Sequence, residues 1–453
     1  MPSNPTARSE NTIEGAKSPT GTGNSGLWLV LAGCAVVCAL QLYFHQAALH
    51  NHILKTDYND FSDALDYAER AAQWMLQGFN ATFSDAHRMP GYPAFLTLFY
   101  DRLDEPWLAA RVTQVILTSL LPLLAWGLTG LVGLPASGRL AAAALTGLWV
   151  PLYYFSTALT AEALTLLGTA LYLIVTLWLL RRPTLARAAL LALLLALLMA
   201  LKPNAVFLSV VPPVLAVWDR SPQSDRRTIP WRALAAFVAL LVVLVLPWTL
   251  FASLSNGQFV PLTTMQGTVL CAGVGGIYHL PGEESRVFVP ALMDHARQWL
   301  GIDVPCYVGR SGLDPALHAL LQERALDRWR DHTATTILYA LAKCGHLLGF
   351  SLRGLVDLAS AGLFVASFGG ALLLLKKRRF AVLARLYLIV LVVTLAQTFI
   401  FQPDQRFRVV WLDFPALCLL SAVVLVLSQS FINRFRPQQA GRAADPSDGQ
   451  GSP

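Results

Sequence analysis

Charge is what this chain has least of. Only 13% of its 453 residues are Asp, Glu, Lys or Arg, about half the share usual in soluble domains. Hydrophobic residues make up 55%, more apolar surface than one aqueous core of this length can hide, so lipid must solvate much of the chain. Soluble enzymes and disordered proteins are thereby excluded. Six cysteines among 453 residues are too few for a disulfide scaffold. There is no cluster of histidines and no ligand spacing that demands a metal. No segment repeats at a fixed period. The net charge of +7 is not a nucleic-acid signal, because in a membrane protein the position of the charges carries the information.

What is present is a series of apolar runs long enough to cross about 30 Å of hydrocarbon. Ten are expected, near 26–44, 107–129, 138–155, 159–180, 187–201, 204–218, 231–251, 355–375, 380–401 and 409–431. The fifth and sixth are short and meet at Lys202-Pro203-Asn204, so they form either a tight hairpin or one distorted unit. Arg181, Arg182 and Arg187 mark one cytoplasmic loop; Arg220, Arg226, Arg227 and Arg232 mark a second; Lys376, Lys377, Arg378 and Arg379 mark a third. They share a side only if 336–350, which carries Lys343 and His346, lies in the outer interface instead of crossing. The expected fold is an all-α polytopic membrane protein with both ends in the cytoplasm. Residues 1–25 and 432–453 are expected to be disordered, and two large segments, 45–106 and 252–354, to face outward. Residues 1–25 read as a retained polar stretch, not a cleavable signal. The +7 then collects on the cytoplasmic side and leaves the outer side net acidic. Cys34, Cys38, Cys418 and Cys344 read as apolar packing residues, while Cys271 and Cys306 share an outer segment where a pair could form.

The outer segments hold the chemistry. Asp60, Asp63 and Asp66 are three apart and stack on one face of a helix that starts this early. Carboxylates so placed raise one another's pKa, which prepares a general base; alternatively, Ser62 or Asp63 simply starts a helix whose dipole favours acids. The rigid turn Pro90-Gly91-Tyr92-Pro93 holds Arg88 at the membrane surface, where a guanidinium can grip a phosphate or serve as an interfacial anchor.

These residues resemble the first outer loop of the GT-C membrane glycosyltransferases: Asp63, Tyr67-Ala68, a helix ended by Gly78, and Arg88 before the Pro-Gly-Tyr-Pro turn. The nearest relatives by this resemblance are the bacterial protein mannosyltransferase-like and lipid A aminoarabinose transferase-like enzymes. Further matches follow in order: the stretch from Ser156 to Leu164, with Glu162 in the acidic position; Leu201-Lys202-Pro203; Pro247-Trp248-Thr249-Leu250; Gly257 to Pro261; the helix from Ala325 to Lys343; and Gln405-Arg406-Phe407-Arg408. The resemblance covers 26–431, a GT-C-like catalytic domain. Phe251-Ala252 departs from it, standing where the family carries Arg-Asn.

The resemblance implies a sugar donor carried on a polyprenyl phosphate and used at the outer face of a bacterial inner membrane, a placement with which the lack of a eukaryotic-style retention signal agrees. The acceptor would be a glycan, lipid or protein. Asp63 is the implied base, with Glu162 positioning the acceptor or supporting Asp63. Arg88, Lys202 and Arg406, with Arg408 as a helper, are the implied phosphate contacts; for the last three cations, snorkelling at a span end is the plain alternative. No metal or other cofactor is expected to be required, although Asp63 and Glu162 could hold a divalent ion. A multi-span transporter or lipid flippase is the rival of another class, and an oligosaccharide ligase or polymerase the rival enzyme; charges at the outer ends of spans favour an enzyme over a transporter.

Overall fold

The computed structural model describes residues 23–44, 62–100, 106–153, 155–219, 229–264, 270, 315–350, 355–377, 380–400 and 408–435. Among the described residues the chain is helical and has no strand. In chain order the helices are α1 (Gly23–Phe44), α2 (Ser62–Gln77), α3 (Phe79–Phe83), α4 (Gly91–Thr97), α5 (Pro106–Thr118), α6 (Leu121–Leu131), α7 (Ala136–Leu148), α8 (Glu162–Arg181), α9 (Leu185–Leu201), α10 (Val211–Trp218), α11 (Trp231–Asn256), α12 (Pro315–Asp331), α13 (Thr333–Leu347), α14 (Leu355–Leu375), α15 (Ala381–Ile400) and α16 (Phe414–Phe435). Short 3-10 turns cover Val150–Tyr153 and Pro203–Val210, and a π-helical turn, Arg408–Asp413, leads into α16.

Among the described residues seven helical segments are long and apolar enough to cross a membrane: α1, α5 with α6, α8, α11, α14, α15, and the π turn with α16. Their exposed faces carry large apolar side chains such as Leu29, Val243, Val365 and Val392, as expected of surfaces turned to lipid. The chain is thus an α-helical protein of the multi-span membrane type. Two shorter apolar helical stretches, Leu185–Leu201 and Pro203–Trp218, cover the fifth and sixth expected spans.

The third expected span, 138–155, is shorter than expected: α7 ends at Leu148, a 3-10 turn follows, and this stretch is not among the seven, while α8 starts at Glu162, three residues into the fourth. At three other places the helices run on past expectation. Residues 23–25 and 432–435, expected to be disordered, are helical, and α11 runs to Asn256, five residues into the segment expected to face outward. In each case the helix continues past the apolar run, because main-chain hydrogen bonds do not stop where hydropathy does.

Lys202 is extended between α9 and the 3-10 turn, and the chain turns back there. Tyr172, half-way along α8, donates to the Leu208 carbonyl at 2.8 Å, and Asp219, after α10, pairs with Arg385 near the start of α15. The two short spans are therefore a hairpin. α13, at 15 residues, is about 22 Å long. It lies beside the end of α15, where Lys343 donates to the Phe399 carbonyl at 3.1 Å and Cys344 approaches Leu395. The largest apolar core joins α6 to α11 with α14 to α16. A smaller one brings Ala64, Tyr67, Tyr92, Ala110, Leu159 and Ala161 together, and it carries the site.

Candidate functional site

The site is built on α2, whose Ala64, Tyr67, Ala68 and Ala71 form a buried stripe at helical spacing. Asp63, Asp66 and Arg70 lie on a neighbouring face. The helix stops at Gly78, whose φ of 85° suits glycine and ends the ladder. α3 then packs Phe79 and Phe83 against Trp248 and Phe251 of α11, and the chain turns back at Ala86.

Ala86 has a φ of 47°, which is strained for a residue with a Cβ. Three contacts from the start of the second outer segment hold it. Thr264 donates its backbone N–H to the Ala86 carbonyl (3.0 Å) and its hydroxyl to Asp85 O (3.1 Å), and the Thr263 hydroxyl donates to His87 O (2.6 Å). This turn aims Arg88 back at α2. Its Nη2 donates to Asp63 Oδ1 at 2.5 Å and its Nε to Asp66 Oδ2 at 2.6 Å, while the guanidinium lies over the Tyr67 ring, 5.2 Å from its centroid. Asp66 gives its other oxygen to Arg70 (3.0 Å), which also forks onto Asp85 (2.8 and 3.1 Å) and the Thr82 carbonyl. A chain of alternating charges thus runs Asp63, Arg88, Asp66, Arg70, Asp85.

A second pair stands beside it. Glu162 opens α8 and is almost wholly buried; Lys202 follows the last turn of α9 and reaches Glu162 Oε1 with its Nζ at 2.7 Å. The pair closes the end of the α8–α9 hairpin opposite Arg181, Arg182 and Arg187. Two contacts bring the groups together. Tyr67, under the Arg88 guanidinium, shares the smaller apolar core with Ala161, the residue before Glu162. Gly91 lies against the main chain of α9, so close that a Cβ there would stand 2.6 Å from Ala200 C and O and 2.9 Å from Leu201 N. Only glycine lets the Pro-Gly-Tyr-Pro turn rest one residue from Lys202.

A buried polar chain underlies both pairs. Tyr92 packs edge-on to Tyr67 (4.8 Å) and donates to Gln114 Oε1 at 2.5 Å. Gln114, fully buried on α5, donates from Nε2 to the carbonyls of Ser156 (3.1 Å) and Ala158 (2.8 Å), fixing the stretch that leads to Glu162. The Ser156 hydroxyl donates to Gln41 of α1 at 2.8 Å.

Electrostatics correct one expectation. Burial opposes ionisation of Asp66, but Arg88 and Arg70 outweigh it and hold the carboxyl below its ordinary range. Attraction to the arginines, not repulsion among acids, sets this acid. Burial likewise works against the Arg88 cation, yet Asp63, Tyr67 and Asp66 raise its pKa well above the ordinary value. Burial first, and the Arg88 charge second, push His87 down to about 4 and keep it neutral near pH 7.

Comparison with protein-family models gives no match, and a search of curated proteins gives none. Among the described residues no group of three or more His, Cys, Asp or Glu could hold a metal ion.

Four of the six expected site residues, Asp63, Arg88, Glu162 and Lys202, are brought together. Arg408 has other partners: it is 2% exposed, its Nε donates to Asp413 Oδ1 at 3.1 Å, and it approaches the Leu347 carbonyl. Asp413 also accepts from Trp149 Nε1 at 2.8 Å, so this pair ties α7, α13 and the last span. Arg406, Asp60, Cys271 and Cys306 lie outside the described residues. Ser62 and Asp63 do begin α2, as the capping alternative holds, and Asp63 also takes the ion pair. Phe251, at the position where the resemblance expects arginine, packs 5.2 Å from Phe79 and 5.7 Å from Trp248; an aromatic cluster occupies the place of a cation. Sequence reasoning missed Arg70, Asp85 and Gln114. Arg70 was findable, four residues from Asp66 on the same helix face. Gln114 showed only as a polar residue within an apolar run.

Proposed function

We propose that the chain is an integral membrane glycosyltransferase that moves a sugar from a polyprenyl-phosphate donor to an acceptor at the outer face of a bacterial inner membrane, on a GT-C-like scaffold. One observation carries this: four residues from three separate stretches that the GT-C resemblance marks, Asp63, Arg88, Glu162 and Lys202, meet as two adjoining ion pairs. Burying two such pairs beside apolar helices is costly, and a site that must handle a phosphate and a proton gives the cost a purpose.

In this mechanism Asp63 takes the proton of the acceptor nucleophile. The nucleophile bonds to the anomeric carbon as the bond from that carbon to the donor phosphate oxygen breaks, and the phosphate leaves with the electron pair. Arg88 and Lys202 neutralise the charge that collects on it. Glu162 orients Lys202. Arg406 joins as a third phosphate contact, and Arg408 anchors the start of the last span beside it. The polyprenyl tail stays in lipid, against the apolar faces of the bundle.

The test is transfer by the purified protein in nanodiscs supplied with polyprenyl-phosphate-linked sugars. Asp63→Asn abolishes transfer without loss of folding, and Arg88→Ala and Lys202→Ala each raise the donor KM more than the acceptor KM. Full activity of Asp63→Asn, or an unchanged donor KM in both cation variants, refutes the assignment. Net movement of an unmodified lipid or solute across the membrane, with no transfer, would favour the transporter rival instead.

A further inference from the structure

Three successive carbonyls, those of Asp85, Ala86 and His87, accept hydrogen bonds from two residues far along the chain, Thr263 and Thr264. Arg88 follows directly. We propose that Thr263 and Thr264 are positioning residues for the donor: they hold Ala86 in its left-handed conformation and so keep Arg88 where it meets the phosphate. This rests on the glycosyltransferase reading and extends its site to a stretch 176 residues beyond His87.

The backbone at Ala86 is what needs holding. A φ of 47° is disfavoured by roughly tenfold for a residue with a Cβ, and Ala86 adopts it with its methyl fully buried against Ala252 and Val260. The backbone N–H of Thr264 reaches the Ala86 carbonyl at 3.0 Å, and the two hydroxyls take the carbonyls on either side, at 3.1 Å for Asp85 and 2.6 Å for His87. Released from these bonds, Ala86 relaxes toward negative φ. The chain after it then turns elsewhere, and Arg88, two residues on, swings away from Asp63, Asp66 and the Tyr67 ring.

The two threonines are themselves mounted on α11. Trp248 Nε1 donates to the Leu262 carbonyl at 2.5 Å, Thr249 Oγ1 donates to the Pro261 carbonyl at 2.6 Å, and Ser253 Oγ accepts from the Val260 N–H at 3.0 Å. Asn256, at the end of the same helix, donates from Nδ2 to the Ser84 carbonyl at 3.1 Å. α11 is one of the apolar spans, with Val243 and Leu250 on its exposed face. Arg88 is therefore held at a depth fixed by a span, and a polyprenyl phosphate presents its phosphate at a depth fixed by the same lipid. An error of about 1 Å in such a placement is costly for chemistry.

Binding reads this out. Undecaprenyl monophosphate is titrated into the full-length protein in phosphatidylcholine nanodiscs, with undecaprenol as the control that lacks phosphate. Thr263→Val with Thr264→Val removes both hydroxyls and keeps the side-chain shape. It weakens binding of the phosphate lipid by about tenfold and leaves binding of undecaprenol as in wild type. Thr263→Ser with Thr264→Ser, which keeps both hydroxyls, binds like wild type. Adding Ala86→Gly to the valine pair separates positioning from mere support of the fold. Glycine removes a buried methyl, so it worsens a protein that has only lost stability; it adopts positive φ freely, so it recovers most of the lost affinity if the threonines hold that conformation. Each single valine variant is measured as well, so misfolding of the pair leaves the singles to decide. If wild type binds the phosphate lipid and the folded valine variants bind it equally well, or if Ala86→Gly lowers their affinity further, the positioning role is wrong and the proposed activity stands. If wild type does not distinguish undecaprenyl monophosphate from undecaprenol, the donor assignment itself falls and the positioning role with it.

Discussion

Gly91→Ala is the sharpest test of how the two halves of the site are joined. The added Cβ would lie 2.6 Å from both the carbonyl carbon and the oxygen of Ala200 and 2.9 Å from the Leu201 nitrogen. These are main-chain atoms of a helix end, not the tip of a side chain that can swing aside. Restoring ordinary contact requires the α4 turn and the end of α9 to part by roughly 1 Å. Forcing an extra carbon into such a contact costs about 1–3 kcal/mol. The larger consequence is positional, since Arg88 precedes the turn by two residues and Lys202 follows the contact by one. A displacement of about 1 Å between catalytic groups can lower turnover by roughly a hundredfold. The assay pairs unfolding in mixed micelles with sugar transfer. Gly127→Ala serves as the control, because a Cβ at Gly127, within α6, meets nothing within 4 Å. The expected outcome is a Gly91→Ala protein that inserts, is measurably less stable and has lost most of its turnover, beside a Gly127→Ala protein like wild type. Wild-type stability and activity in Gly91→Ala would refute the claim that this close approach builds the site.

Arg70→Met leaves Asp66 and Asp85 without their shared cation and lowers stability by about 3 kcal/mol, measured by unfolding in mixed micelles; a loss under about 1 kcal/mol would mean the pairs are solvent-screened. Gln114→Leu takes that partner from the Tyr92 hydroxyl and the Ser156 carbonyl and leaves the Ala158 carbonyl only its Thr160 N–H; it costs about 2 kcal/mol in the same measurement, and a neutral effect would remove Gln114 as the support of the stretch before Glu162. His87 has a folded pKa of about 4 against an ordinary 6.5, so between those values the unfolded chain binds more protons. Stability is therefore full above pH 6.5 and falls toward pH 4, by up to about 3 kcal/mol. His87→Gln flattens that part of the pH–stability curve, and an unchanged curve would show that His87 is not held neutral by its surroundings.

The helices were legible in the sequence because lipid imposes one rule, a long apolar run for each crossing, and α1, α8, α14, α15 and the last span follow it. The tight turn at Lys202 is not legible in the sequence, because 17 apolar residues are consistent with either a hairpin or a distorted span; the Tyr172 and Asp219 contacts that decide it are tertiary. In the site, Asp63 and Arg88 were visible as unusual charges near apolar runs, and Glu162 and Lys202 through motif order. Their pairing was not visible, since the partners are 25 and 40 residues apart. The local spacing of Asp60, Asp63 and Asp66 suggested mutual repulsion. The arginine that overrides it at Asp66 comes from a turn held in place by Thr263 and Thr264, more than 170 residues away. Phe251 illustrates the same limit: its type excluded a cation, and only packing on Phe79 and Trp248 explains what stands there instead.

Mass spectrometry of lipid-linked sugars and envelope glycans in a strain lacking this chain tests the central claim most directly. The account predicts an accumulated polyprenyl-phosphate sugar together with a missing sugar on an envelope glycan, lipid or protein, both corrected by the wild-type chain and neither by Asp63→Asn. An unchanged pool of lipid-linked sugars, or correction by Asp63→Asn, would contradict it.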